Sequence, residues 1–87
     1  MNISADERFV IELLSNSKNN QVDNVFFLNY FRQAELSEDA NIKRKNKAIN
    51  DLNAKFKEAF QLELIIKSTK QSDSRQVVYR LNPKIIF

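Results

Sequence analysis

The chain has no glycine, no cysteine, no histidine and no tryptophan, and only one proline. Ordinary glycine usage of about 7% would supply roughly six residues. Their absence removes the glycine-rich loops that cradle phosphates, both the dinucleotide fingerprint and the P-loop. Without cysteine there are no disulfides, thiolate metal ligands or thiol nucleophile, a composition that suits a reducing compartment. Without histidine the usual general base near neutral pH is missing, and a zinc site would rest on carboxylates alone. These gaps point to a protein that is not an enzyme and that uses no cofactor, metal or small-molecule substrate. No run approaches the ~18 apolar residues of a membrane span. The opening Met1–Glu7 lacks a basic leader ahead of an apolar stretch, so no signal peptide is read there. The expected location is cytoplasmic, with no membrane partner.

What is present suffices for one core. Of 87 residues, 43% are hydrophobic, including seven Phe and two Tyr, which supports a single domain over 1–87 and not two. The net charge of +3 conceals a split. Residues 1–40 carry three basic and seven acidic side chains, and residues 41–87 carry eleven basic and four acidic. A net of −4 followed by +7 suits a domain with one side turned toward a polyanion, although basic helices on solvated surfaces are also common.

Periodicity supplies the elements. Residues 4–16 form an expected first helix, with Ser4 or Asp6 at its start, Glu7 placed for a capping box, and Phe9, Val10, Leu13 and Leu14 on one stripe. A polar loop over 15–20 leads to a very short strand at Gln21-Val22. Asp23 caps a second helix over 24–34 whose Val25, Phe26, Phe27, Leu28, Tyr30 and Phe31 make it apolar nearly all round, so it is expected to be the most buried helix. Its aromatics read as core, not as a stacking platform for bases. Glu35, Glu38 and Asp39 read as a solvated connector rather than a metal cluster. A third helix over 40–59 starts at Ser37, Asp39 or Asn41. It turns Ile42, Ile49, Leu52, Phe56 and Phe60 inward and Lys43, Arg44, Lys47, Asn50, Asp51, Ala54 and Lys57 outward, with Asn46 and Asn53 on one border. Residues 62–68 and 76–81 are β-type runs around a polar turn at 69–75, an antiparallel hairpin with a basic tip in which Tyr79 packs. Pro83 ends the second run, and an apolar tail follows.

Three helices followed by a hairpin give an α+β class and the order of a winged helix-turn-helix. There, the third helix enters the major groove and the hairpin, the wing, lies along the backbone. The expected partner is double-stranded DNA. Lys43, Arg44, Asn46, Lys47 and Asn50 are the expected groove-side residues, and Lys70, Ser72 and Arg75 the wing contacts. Winged helices often read paired half-sites, which admits a homodimer. The alternative is a winged helix that docks a protein through an apolar surface on the third helix or the tail.

The run Lys45-Asn46-Lys47-Ala48-Ile49-Asn50-Asp51-Leu52-Asn53-Ala54-Lys55-Phe56, with Leu64-Ile65 and Val78-Tyr79-Arg80-Leu81, resembles the C-terminal output domain of OmpR/PhoB-type response regulators over roughly residues 5–82. The resemblance implies a winged-helix fold, a DNA-reading helix with apolar positions spaced like Ile49, Leu52 and Phe56, and a role in transcription. Replication or partition of a plasmid or phage is a further process such a module serves. Three features depart from the family pattern. Val78 stands where a glycine usually precedes the Tyr, Asn replaces several helix arginines, and no receiver domain precedes the helices. The likeness therefore supports the fold more than control by phosphorylation, and the chain reads as either free-standing or a piece of a larger regulator.

Overall fold

The computed structural model describes residues 2–70 and 73–85, with Lys70 and 73–75 described by backbone alone. The chain is α+β: α1 (Ala5–Ser15), a 3-10 turn (Lys18–Asn20), β1 (Gln21–Asp23), α2 (Asn24–Phe31), α3 (Glu38–Phe60), β2 (Ile65–Lys70) and β3 (Asp73–Leu81). The strands form one antiparallel sheet in the order β1-β3-β2. No helix among the described residues is long and apolar enough to cross a membrane.

Short polar side chains set the helix starts by accepting from amides that have no partner within the first turn. Ser4 accepts from the Glu7 amide and Glu7 reaches back to the Ser4 amide, the reciprocal box read from the sequence. Asp23 accepts from the Phe26 amide and Ser37 from the Ala40 amide. The turn between α2 and α3 is held from within. The fully buried Asn41 side chain accepts from the Gln33 amide and donates to the carbonyls of Gln33 and Leu36, which fixes how α2 enters α3.

The missing glycines leave a structural trace. Left-handed backbone, which costs a residue with a Cβ roughly 1–2 kcal/mol, falls on Asn19 (φ 59°), Asn20 (φ 54°) and Gln61 (φ 61°). Asn tolerates this region best among the non-glycine residues. Gln61 ends α3, donating its amide to the Lys57 carbonyl, in the place where glycine is strongly preferred. Gln61→Gly is expected to raise stability by roughly 0.5–1 kcal/mol, since relief of the left-handed cost exceeds the added unfolded-state entropy. Urea denaturation checks it, and an unchanged or lower midpoint would contradict it.

The core joins Val10, Leu13 and Leu14 of α1, Phe27 and Phe31 of α2, Ala48, Ile49, Leu52 and Phe56 of α3, and Val22, Leu64, Ile65, Tyr79 and Leu81 from the sheet and its approach. Two expectations fail here. The second helix is not apolar-buried all round. It has only about two turns, so a single i, i+4 stripe, Phe27 and Phe31, faces inward, while Val25 (69%), Phe26 (54%) and Tyr30 (55%) stay exposed. On α3 the inward sector is rotated by roughly 45° from the one read off the apolar residues, taking 100° per residue. Buried Asn41, Lys45 and Ala48 join it and Phe60 is left exposed. The cause is electrostatic as well as apolar: α1 places Asp6 and Glu7 against α3, and they draw Arg44 and Lys55 toward α1.

The Glu7–Lys55 pair carries a pH signature. Burial pushes the Glu7 carboxyl up, but hydrogen bonds from Lys55 (2.7 and 2.8 Å) and Ser4, with the lysine charge, outweigh burial and hold it below its ordinary value. A depressed carboxylate contributes stability that is fully present above its unfolded value of about 4.3 and is lost as pH falls through the lower folded value. Glu7→Gln is expected to cost about 1–2 kcal/mol at pH 7 and to flatten the loss of stability below about pH 4.5. Denaturation midpoints from pH 3 to 7 test this; parallel profiles for the two proteins would refute it.

Candidate nucleic-acid interface

The sheet lies along α3, and two contacts fix how. Asn53 clamps the start of β2, accepting from the Ile65 amide at 2.8 Å and donating to the Ile65 carbonyl at 3.1 Å. Two turns earlier on α3, the Lys45 ammonium donates to the Tyr79 hydroxyl at 3.1 Å and to the Asn24 side-chain oxygen at 2.6 Å. Tyr79 sits directly across from Lys67 in the β2–β3 register. As β2 leaves Asn53, it therefore runs back toward the amino-terminal half of α3, as far as the Lys67–Tyr79 pair beside Lys45.

The outward face of α3 carries Lys43, Asn46, Lys47 and Asn50, all exposed. The Lys47 side chain is 77% exposed and bonds Asp51 at 2.7 Å one turn on, an interaction that raises its pKa and keeps it a cation. Residues 46 and 50 lie on the side of the helix toward the hairpin and residue 47 on the side toward α1, so the two amides stand between lysines. At the entrance to α3, Arg32 bonds Glu38 at 3.0 Å, which neutralises one of the acids of its first turn.

Arg44 does not belong to this face. Its Nε and Nη2 donate to the two Asp6 oxygens at 3.1 and 3.0 Å, Nη1 donates to the Phe31 carbonyl at 2.9 Å, and the guanidinium lies 4.2 Å from the Phe31 ring centre. Its side chain is 23% exposed. The expectation of a groove-facing arginine is corrected: the fork ties α1 and the end of α2 to α3. Arg44→Ala is expected to lower stability by about 1–3 kcal/mol, and Arg44→Lys to recover little, because an ammonium cannot replace the two-pronged geometry. Thermal melts of both variants decide this; full recovery by lysine would show that charge alone matters there.

The wing residues divide. The strands reach 70 and 73, so the 69–75 segment read as a turn is partly strand, with the register shifting from Thr69–Val77 to Lys70–Asp73. Lys70 and Arg75 fall within strands, and Ser72 lies outside the described residues. Sequence reading passed over Lys67, which is exposed and, in a period-2 strand, shares the α3 side of the sheet with buried Ile65. It also passed over Lys45, whose ammonium is buried with no carboxylate partner among the described residues. Burial, then the nearby Lys67 charge, push it below the ordinary lysine range, while burial raises the Tyr79 hydroxyl. Alternation along the strand was the available signal for Lys67; nothing local in the sequence marked Lys45.

Lys43 and Lys47 stand on the outward face of α3 and Lys67 on the adjoining side of the sheet. Such a surface can neutralise phosphates with its ammonium groups and offer directional hydrogen bonds from its amides. Compared with protein families, curated proteins and solved structures, the chain matches none.

Proposed function

We propose that the chain is a winged helix-turn-helix module of the OmpR/PhoB output-domain kind that binds double-stranded DNA and catalyses no reaction. The observation that carries this reading is the exposed lysine and amide face of α3, with exposed Lys67 on the side of the sheet that packs against that helix. The element order and the β1-β3-β2 sheet are compatible with it. Lys43, Lys47 and Lys67 act on phosphates, Asn46 and Asn50 on base edges, and the ribbon, with Lys70, Ser72 and Arg75, on adjoining backbone. Control of transcription, or of plasmid or phage replication or partition, is the process such a module serves, in the cytoplasm.

Anisotropy titration of a labelled random duplex across salt concentrations tests the proposal. Each phosphate neutralised contributes about −0.9 to the slope of log K against log salt, so three lysines set an expected slope of roughly −3 or steeper. No binding at low salt overturns it. The alternative of a protein-docking winged helix draws support from the exposed aromatics of α2 and from Phe60 at the end of α3.

A further inference from the structure

The outward face of α3 presents two carboxamides one turn apart. At 100° per residue, Lys43, Asn46, Asn50 and Lys57 fall within a sector of about 60°, and all four are exposed. Other asparagines of the chain are tied into the fold: Asn24 to Lys45, Asn41 to Gln33, Asn53 to Ile65 and Asn82 to Glu63. Asn46 and Asn50 have no such partner among the described residues, so their amide groups face solvent.

A carboxamide holds an acceptor oxygen and a donor amino group side by side. In the major groove adenine shows the complementary pair, acceptor N7 beside donor N6, whereas guanine shows two acceptors, N7 and O6. Against guanine the amide oxygen would meet another acceptor. The matched partner of guanine is the arginine fork. The one arginine of α3, Arg44, is engaged by both Asp6 oxygens and the Phe31 carbonyl. The matched partner of cytosine is a carboxylate that accepts from N4. Of the acids of α3, Asp51 accepts from Lys47 and Glu38 from Arg32. Asp39 and Glu58 stand about 10 Å or more from the nearer amide along the helix axis. The exposed lysines are point charges suited to phosphate. Groups of α3 that would read G·C pairs are therefore engaged inside the fold or set apart, and those that read adenine stand in solvent.

We infer that Asn46 and Asn50 make α3 a reader of A·T pairs. Each amino group donates to an adenine N7 and each amide oxygen accepts from the N6 amino group of the same base. Four residues rise about 6 Å along a helix, close to two base-pair steps of ~3.4 Å, so the two adenines lie about two steps apart. This inference rests on the duplex-binding reading above and adds to it the class of site and the residues that select it.

Competition titrations of the full chain with three duplexes of equal length test it: alternating A-T, alternating G-C and alternating I-C. The first offers an adenine at every step on one strand or the other. Inosine keeps the N7 and O6 of guanine in the major groove but lacks its N2 amino group, so the minor groove of I-C resembles that of A-T. The A-T duplex is expected to bind at least about tenfold more tightly than either of the others, since one good bidentate contact discriminates by roughly 5- to 150-fold. Asn46→Ala combined with Asn50→Ala, at exposed helical positions that alanine suits, is expected to keep the far-ultraviolet circular dichroism spectrum. It should bring the ratio of A-T to G-C affinity to within about threefold of one. Lys43→Ala with Lys47→Ala should weaken all three duplexes and keep the ratio. Equal wild-type affinity for A-T and G-C, I-C bound as tightly as A-T, or a ratio that survives loss of both amides would each overturn this inference while duplex binding stands. Absence of binding to every duplex at low salt overturns the duplex reading and this inference with it.

Discussion

Alanine at both Lys43 and Lys47 is expected to lower duplex affinity by roughly 10- to 100-fold at moderate salt and to make the slope of log K against log salt shallower by about 1.8, two phosphate contacts at 0.9 each. Both side chains leave the exposed face of α3, and neither contributes to the buried core. Stability should therefore stay within about 0.5 kcal/mol of wild type, the usual range for surface changes. The Lys47–Asp51 pair lost with them is an exposed i, i+4 contact of small value. Arg44→Ala should show the reverse pattern, with a lowered melting point and affinity changed by less than about threefold once the protein is folded. Affinity loss without stability loss at 43 and 47 supports the interface. Wild-type affinity in the double variant would move the DNA contact off this face of α3.

Phe27→Ala should remove about 3–5 kcal/mol of stability, whereas Phe26→Ala should change it by no more than about 0.5 kcal/mol. The two are adjacent in sequence and identical in type, but Phe27 is fully buried, with its ring 5.3 Å from Tyr79 and 6.2 Å from Phe31. Phe26 is more than half exposed. For a chain of this size, total stability of the order of 4–13 kcal/mol follows from 0.05–0.15 kcal/mol per residue, so the Phe27 cavity would consume much of it. Urea denaturation provides the comparison. Equal losses at the two positions would mean that α2 is rotated relative to its described packing.

Local features were read correctly where their cause is local. The capping box at Ser4 and Glu7, the Asp23 cap, the short strand before α2 and the presence of two hairpin strands, though not their bounds, depend on residues within a few positions of one another. The burial of α2 was misjudged because six apolar residues in a short helix cannot all face inward, and composition does not say which stripe does. The outward face of α3 was partly legible, with Lys43, Asn46, Lys47 and Asn50 exposed as expected. Arg44 was misplaced because its partners, Asp6 and the Phe31 carbonyl, lie 38 and 13 residues away.

By itself the sequence determined the element order, a short choice of helix starts, the uneven distribution of charge and the lack of the residues on which most catalytic and metal sites depend. These follow from propensity, capping and composition, which act along the chain. Only the tertiary structure decided that Lys45 and Glu7 are buried, that Arg44 is a strut between helices, that Lys67 stands beside α3, and that Phe26 and Tyr30 face solvent. Each of those outcomes turns on how far one helix is rotated against its neighbours, and that angle is set by ion pairs and packing between residues distant in sequence.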